Sequence, residues 1–287
     1  MRIKLLLAGV ALLVAVPIAV AAQEPIADVD LEAGGDAVFD PENDEPGNDD
    51  CLTADIAGED AYTPVDDGFT DVSSDAFDSG LLLLVKGNSF VDGDDNGNLT
   101  GQQLKVGPST LAGLKVTRTD RALGTSPTLR SLISLKNPKN KAKKVAVVIE
   151  SDYGADDSEV VRGSAKAPNL FYSKQDNWVV VADDADEPGD AVVTHAFFGK
   201  GANARVAQVT NGFPNADSCL NVRYSVKVPG KSKRHLMLFT QLHDDTEEAV
   251  DLARNRAQGF EKSKLGKKFL VGLSKATKAK IVNWDLK

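Results

Sequence analysis

Chemically versatile side chains are scarce in this chain. Its 287 residues include two cysteines, two methionines, two tryptophans and three histidines, and aromatics make up 6%. It contains no HExxH, no GxSxG, no Walker loop and no pair of histidines at metal-ligand spacing. That removes the zinc-protease, α/β-hydrolase and nucleotide-hydrolase readings. Glycoside hydrolysis stays open, because it depends on how far apart two carboxylates sit in space. No pair is singled out here. Lysine and arginine are absent from 23 to 80, a stretch with 19 acidic residues.

The start of the chain supplies what the rest lacks, a long apolar run. Arg2 and Lys4 precede Leu5 to Val20, and Ala19-Val20-Ala21-Ala22 offers small residues before Gln23. This pattern predicts a secretory signal peptide over 1–22, in a run short for a membrane span. The mature chain is expected to be secreted, acting outside the cell or in its envelope. It should have no transmembrane segment and no nucleic-acid partner.

Export gives the two cysteines a meaning. In an oxidising compartment, Cys51 and Cys219 read as one disulfide. It would close a loop of about 168 residues, worth roughly 4–5 kcal/mol in the chain-entropy model. Two buried free thiols are the other reading, one that suits the cytosol.

Charge is segregated. The 207 residues from 81 onward hold 23 acidic and 31 basic side chains, so a basic body follows an acidic leader. Residues 23–50, with Asp40-Pro-Glu-Asn-Asp-Glu-Pro-Gly-Asn-Asp-Asp50, read as a disordered acidic leader. From Leu52 to Phe77, isolated apolar residues among acids read as an extended layer pinned by Cys51. Residues 51–287 form the expected domain.

The body reads as short strands. Leu81–Val85 is an apolar run between glycines, Leu114–Thr119 alternates, and Leu129–Leu135 stops at Asn137-Pro138. Lys144–Ser151 is β-branched, and the basic stretch Asn137–Lys143 before it reads as a hairpin tip. Further strands are expected at Glu159–Ser164, Asn177–Ala182, Ala191–Phe198, Ala204–Thr210, Leu220–Val228 and Arg234–Leu242. Such spacing without intervening helices predicts a mainly β fold, an antiparallel β-sandwich. Two short C-terminal α-helices complete it. The first covers Thr246–Gln258, capped by Asp245 or Thr246, with acids at its start and arginines near its end. Its stripe is Val250, Ala253 and Ala257. The second, Ser274 to about Val282, would bury Ala276, Ile281 and Val282, with Trp284 as a packing anchor.

A series of short motifs follows one order. These are Gly113-Leu-Lys-Val-Thr-Arg118, Leu129-Arg130, Leu135-Lys-Asn-Pro138, Tyr153-Gly-Ala-Asp156, Asp176-Asn-Trp-Val-Val180 with Asp183-Asp184, Val193-Thr-His195, Tyr224-Ser-Val-Lys-Val-Pro229, and Gly272-Leu-Ser274 leading to Ile281-Val-Asn-Trp284. In that order, across about 85–287, the chain resembles a β-sandwich module of secreted and cell-surface bacterial proteins, mostly of unassigned function. Such modules often carry Gly-Ser-Asp where this chain has Gly154-Ala155-Asp156. The resemblance implies no catalytic residues.

Asp92-Gly-Asp-Asp-Asn-Gly-Asn98 is the sharpest candidate site. Asp92, Asp94, Asn96 and Asn98 place oxygens at alternate positions, with Gly97 for a sharp turn, as in a calcium loop. Ca2+ is therefore the one cofactor expectation. Against it, Gln103 stands where a bidentate acid belongs, and no helices flank the loop; a solvated turn uses the same residues. Asp183–Glu187, and Asp152 with Asp156 and Asp157, read as wet loops. His195 and His235 read as structural strand residues, and His243 as an ion-pair partner of Asp244 and Asp245. Trp178, Trp284, Tyr172 and Phe171 could stack on sugars, but Trp178 and Trp284 fit core packing better. Lys262, Lys264, Lys267 and Lys268 could touch anionic surface polymer or form a solvated face.

The function expected is extracellular binding or structural support without catalysis, with a ligand outside the cell or in the envelope. A secreted hydrolase or carbohydrate-binding protein built from loop carboxylates and aromatics is the alternative. A calcium-stabilised structural domain is a third possibility.

Overall fold

Residues Leu81–Val85 are apolar without interruption because both faces of their strand are covered. In the computed structural model, Leu81, Leu83 and Val85 enter the main core, while Leu82 and Leu84 join Val148 in a small cluster on the opposite face. The structure describes residues 23–25, 29–33, 37–39, 43–44, 61–62, 76–77, 79–90, 96–124, 126–153, 159–166, 172–183, 191–211, 219–262 and 264–286.

Five strands of two or three residues come first: β1 (Gln23–Pro25), β2 (Leu31–Glu32), β3 (Val38–Phe39), β4 (Asn43–Asp44) and β5 (Ala61–Tyr62). The sandwich strands follow: β6 (Ser79–Val85), β7 (Asn96–Leu99), β8 (Gln103–Leu111), β9 (Leu114–Ala122), β10 (Thr128–Lys136) and β11 (Lys143–Asp152). They continue with β12 (Glu159–Ser164), β13 (Trp178–Asp183), β14 (Val192–Ala196), β15 (Val206–Asn211), β16 (Cys219–Val228) and β17 (Lys233–His243). One sheet has the order β1-β7-β8-β9-β10-β17-β14-β13-β12, the other β15-β16-β11-β6, and every ladder in both is antiparallel. The fold is the expected mainly β sandwich.

Alternation assigns the faces. From the large sheet Leu129, Ile133, Leu135, Leu236, Leu238 and Leu242 point inward, and from the small sheet Val145, Val147, Ile149, Val222, Tyr224 and Val226 meet them. Each such large side chain, fully buried, contributes ~1.5–3 kcal/mol. The intervening residues of the large sheet, among them Leu132, Trp178, Val180, Met237 and Phe239, build a second core on its outer face. That core is roofed by the C-terminal cap.

The cap is α1 (Glu247–Ala257), two 3-10 turns (Gln258–Glu261 and Lys267–Leu270) and α2 (Lys275–Lys278). Thr246 caps α1, its Oγ1 accepting from Ala249 N at 3.1 Å. Val250, Ala253 and Ala257 are buried as expected, with Ala249 beside them. The second helix is shorter than expected, and Ala276 is exposed. After α2 the chain runs extended beside β17, with His235 N donating to Lys280 O and Val282 N to His235 O. Asn283 then brackets Met237, its Oδ1 accepting from Met237 N at 2.9 Å and its Nδ2 donating to Met237 O at 2.7 Å. These backbone partners end the helix early.

Two further expectations change. Asn137–Ala142 is not a hairpin tip, since β10 belongs to the large sheet and β11 to the small one. It is a crossover beside another crossover at Pro229–Ser232, joined to it by Asn137 N donating to Ser232 O and Lys231 N to Lys139 O. Local turn chemistry cannot tell which sheet the next strand joins. Within the leader expected to be unfolded, the described residues Val29, Leu31, Ala37 and Phe39 are buried in the main core. Acidic composition hides this short apolar alternation.

Candidate functional site

Two clefts flank the cap and share Gln258 and Lys262. The first, about 630 Å³, opens between β12, β13 and the end of α1. Ser164, Lys166, Trp178, Arg254, Gln258 and Glu261 give it its chemistry. That volume lies within the usual range for small-ligand sites.

Each wall is held in place. Arg254 Nε donates to Arg162 O at 2.6 Å, and Arg162 pairs with Glu247, so both ends of α1 are tied to β12. Asp176 is buried and organises the loop entering β13. It accepts from Ser164 Oγ at 3.3 Å, Lys166 N at 2.6 Å, Ser173 N at 3.0 Å and Ser173 Oγ at 2.7 Å. Asn177 Nδ2 donates to Phe260 O at 3.1 Å. Trp178 Nε1 donates to Glu261 Oε1 at 2.9 Å. Trp178 thus packs in the outer core, 4% exposed, and still borders the cleft. Glu261 is the one carboxylate among the described lining residues, and it is already engaged. A glycosidase needs a second one facing it.

The second cleft, about 520 Å³, lies between Gln241, the last turn of α1 and Gly266–Phe269. Arg256 at its rim donates to His243 Nδ1 at 3.3 Å. Burial and the Arg256 charge lower the His243 pKa from 6.5 to about 4. His243 therefore faces a cation rather than the expected Asp244 and Asp245, both exposed. His195 and His235 are structural. His195 contacts the rings of Phe77, Tyr153 and Phe197, hydrogen-bonds Thr240 Oγ1 at 3.0 Å, and is pushed by burial down to about 3. His235 hydrogen-bonds Ser134 at 2.8 Å.

Asp92 and Asp94 of the proposed calcium loop lie outside the described residues. Asn96 and Asn98 stand on β7, opposite Pro25 and Gln23 of β1. Among the described residues, no group of three or more His, Cys, Asp or Glu could hold a metal ion. Cys51 also lies outside them. Cys219 opens β16, is buried, and no described cysteine is free. Asp152 is buried at the end of β11, whereas Asp156, Asp157, Phe171 and 184–187 lie outside the described residues. Tyr172 is buried, and Trp284 anchors the cap as expected, donating Nε1 to Met237 O at 2.6 Å. Gln241, Arg256, Gln258 and Glu261 escaped sequence reasoning. The available signal was their place near a strand end, in the last turn of a helix and just past it. No described helix is long and apolar enough to cross a membrane.

No family model and no curated protein matches this chain. Among solved structures, a putative aldose 1-epimerase from Klebsiella pneumoniae is 12% identical with a TM-score of 0.34, over 56% of this chain and 54% of that one. A galactose mutarotase related enzyme from Lactobacillus acidophilus is 8% identical with a TM-score of 0.38, over 76% of this chain and 99% of that one. A GH36 alpha-galactosidase from Geobacillus stearothermophilus is 10% identical with a TM-score of 0.40, over 78% of this chain and 42% of that one. The chain thus spans about half of the epimerase and less than half of the galactosidase. At these scores the likenesses carry no weight for function, which has to come from the clefts themselves.

Proposed function

We propose that this chain is exported, with 1–22 as its signal peptide, and acts outside the cell or in the envelope as a non-catalytic β-sandwich that binds carbohydrate. One observation carries the reading: among its described lining residues the cleft beside Trp178 combines an indole edge with a serine, a glutamine, an arginine and two lysines, but one carboxylate only. Sugars present C–H faces and rings of hydroxyls. An apolar edge amid hydrogen-bonding groups suits both. The motif order shared with secreted and surface modules is consistent with this.

Fluorescence titration with neutral oligosaccharides tests it. Of the two tryptophans, Trp178 borders the cleft and Trp284 is sealed in the outer core. A binding glycan shifts the emission of the wild type, and Ala165→Leu, which narrows the cleft without adding a fluorophore, weakens the binding at least about tenfold. A panel of glycans that leaves the emission unchanged contradicts the proposal.

A further inference from the structure

The second cleft has an unusual charge balance. Arg256, Lys262, Lys264 and Lys268 line it, and none of its described lining residues is acidic. Protein surfaces ordinarily intersperse both signs. No ion pair among the described residues involves any of these four.

The imbalance continues beneath the rim. Arg130 stands directly opposite Arg121 on the neighbouring strand, where like charges repel. Arg130 is 1% exposed and spends Nη1 on Val271 O at 2.7 Å and on Phe269 O at 3.1 Å, Phe269 being a residue of the cleft wall. Burial and the Arg121 charge lower its pKa from 12.5 to about 10. Among the described residues neither Arg121 Nε nor Arg130 Nε has a hydrogen-bond partner. Gln241 lines the cleft while 2% exposed. Its Nε2 donates to Thr128 Oγ1 at 2.8 Å, and its Oε1 has no partner among the described residues. A buried acceptor left unmatched costs free energy that a hydroxyl donor would recover.

We infer that this cleft is an anion subsite for an acidic polysaccharide, its cations taking a carboxylate or sulfate group while Gln241 offers an acceptor to a sugar hydroxyl. The inference rests on the carbohydrate reading above and specifies its ligand. A nucleic acid fits less well, since Lys268 Nζ lies 5.0 Å from the centre of the ring of Phe269, the one aromatic among the described lining residues. A lipid surface fits less well too. Among the described residues the exposed large hydrophobics are Leu252 and Val271, and neither lines the cleft.

The test is isothermal titration of the mature chain with polygalacturonate and, separately, dextran sulfate, with neutral dextran as control. Lys264 and Lys268 are exposed and line only this cleft, so Lys264→Glu with Lys268→Glu leaves the fold and the Trp178 cleft intact. The expected result is saturable binding to one polyanion, weakened at least about tenfold in that double variant. Which polyanion binds distinguishes carboxylate from sulfate. A second basic patch, Lys115, Lys136 and Lys233 in register across three strands, supplies the comparison. Lys115→Glu with Lys233→Glu should change affinity less than about threefold. Equal losses in both variants, no binding to either polyanion, or duplex DNA binding as tightly would overturn the inference. A protein that answers neutral glycans at Trp178 but ignores both polyanions would defeat this inference alone.

Discussion

Arg118 and Asp120 form an ion pair inside the core, both fully buried and two residues apart on β9, with Arg118 Nε 3.3 Å from the Asp120 carboxylate. The pair is a junction. Asp120 accepts from Tyr62 Oη at 3.0 Å, which ties the acidic segment to the body. Arg118 donates to Leu81 O at 2.6 Å and to Ser131 Oγ at 3.4 Å. Leu81 holds a φ of 61° and donates its N–H to Ser151 Oγ, so Arg118 helps to hold a strained entry into β6. Removing one partner strands the other charge. Asp120→Asn should lower stability by about 3–5 kcal/mol, while replacing both by apolar residues should cost much less. Urea unfolding of the three proteins measures this.

Gly199 packs against the Trp284 indole. A Cβ at 199 would lie 2.5 Å from Trp284 Cε3. Gly199→Ala therefore forces the indole out of place, at an expected cost of about 1–3 kcal/mol. Trp284→Ala should cost about 3–5 kcal/mol by opening a cavity beside Phe239 and Phe260. If the steric account is right, combining the two should cost less than their sum, a coupling that a thermal double-mutant cycle reads.

Acid should destabilise the fold before most carboxylates titrate. The pKa of His195 falls from 6.5 to about 3 through burial. Between those values the unfolded state binds more protons, so stability is full above about pH 6.5 and is lost as pH falls through that window. From pH 7 to pH 5 this one group should remove about 2 kcal/mol. His235 and His243, both lowered to about 4, act in the same direction. Thermal melts at both pH values should show the drop, and His195→Gln should shrink the difference.

Cys219 supplies a further test. If it is joined to Cys51 after export, thiol titration of the native protein finds no free sulfhydryl, and Cys219→Ser lowers stability by roughly 2–5 kcal/mol.

The sequence's legibility followed the range of the interactions. Strands whose apolar residues repeat at period two, such as β9 and β16, were readable, β10 was bounded by Pro127 and Asn137-Pro138, and α1 was readable from its cap and dipole charges. Strand β8 was not, because Gly107-Pro108 interrupts it. A register shift between Val106 and Ser109 absorbs that break, and Gly107 holds a φ of 86° with Val116 O 3.0 Å from where its Cβ would be. The crossover at Asn137–Ala142 and the truncation of α2 depend on partners about 90 residues or more away in sequence for the crossover and about 45 for the helix. The clefts were the least legible. Glu261, Gln241 and Arg256 are ordinary residues until the cap folds onto the large sheet.

Saturation-transfer NMR of a glycan mixed with the protein tests binding and chemistry in one sample. Sugar-ring protons should receive saturation from the protein, while anomeric signals and chain length stay unchanged over a day. New anomeric signals would mean turnover, and absence of transfer for every neutral and acidic glycan tried would mean that no sugar binds; either result contradicts a non-catalytic carbohydrate-binding sandwich.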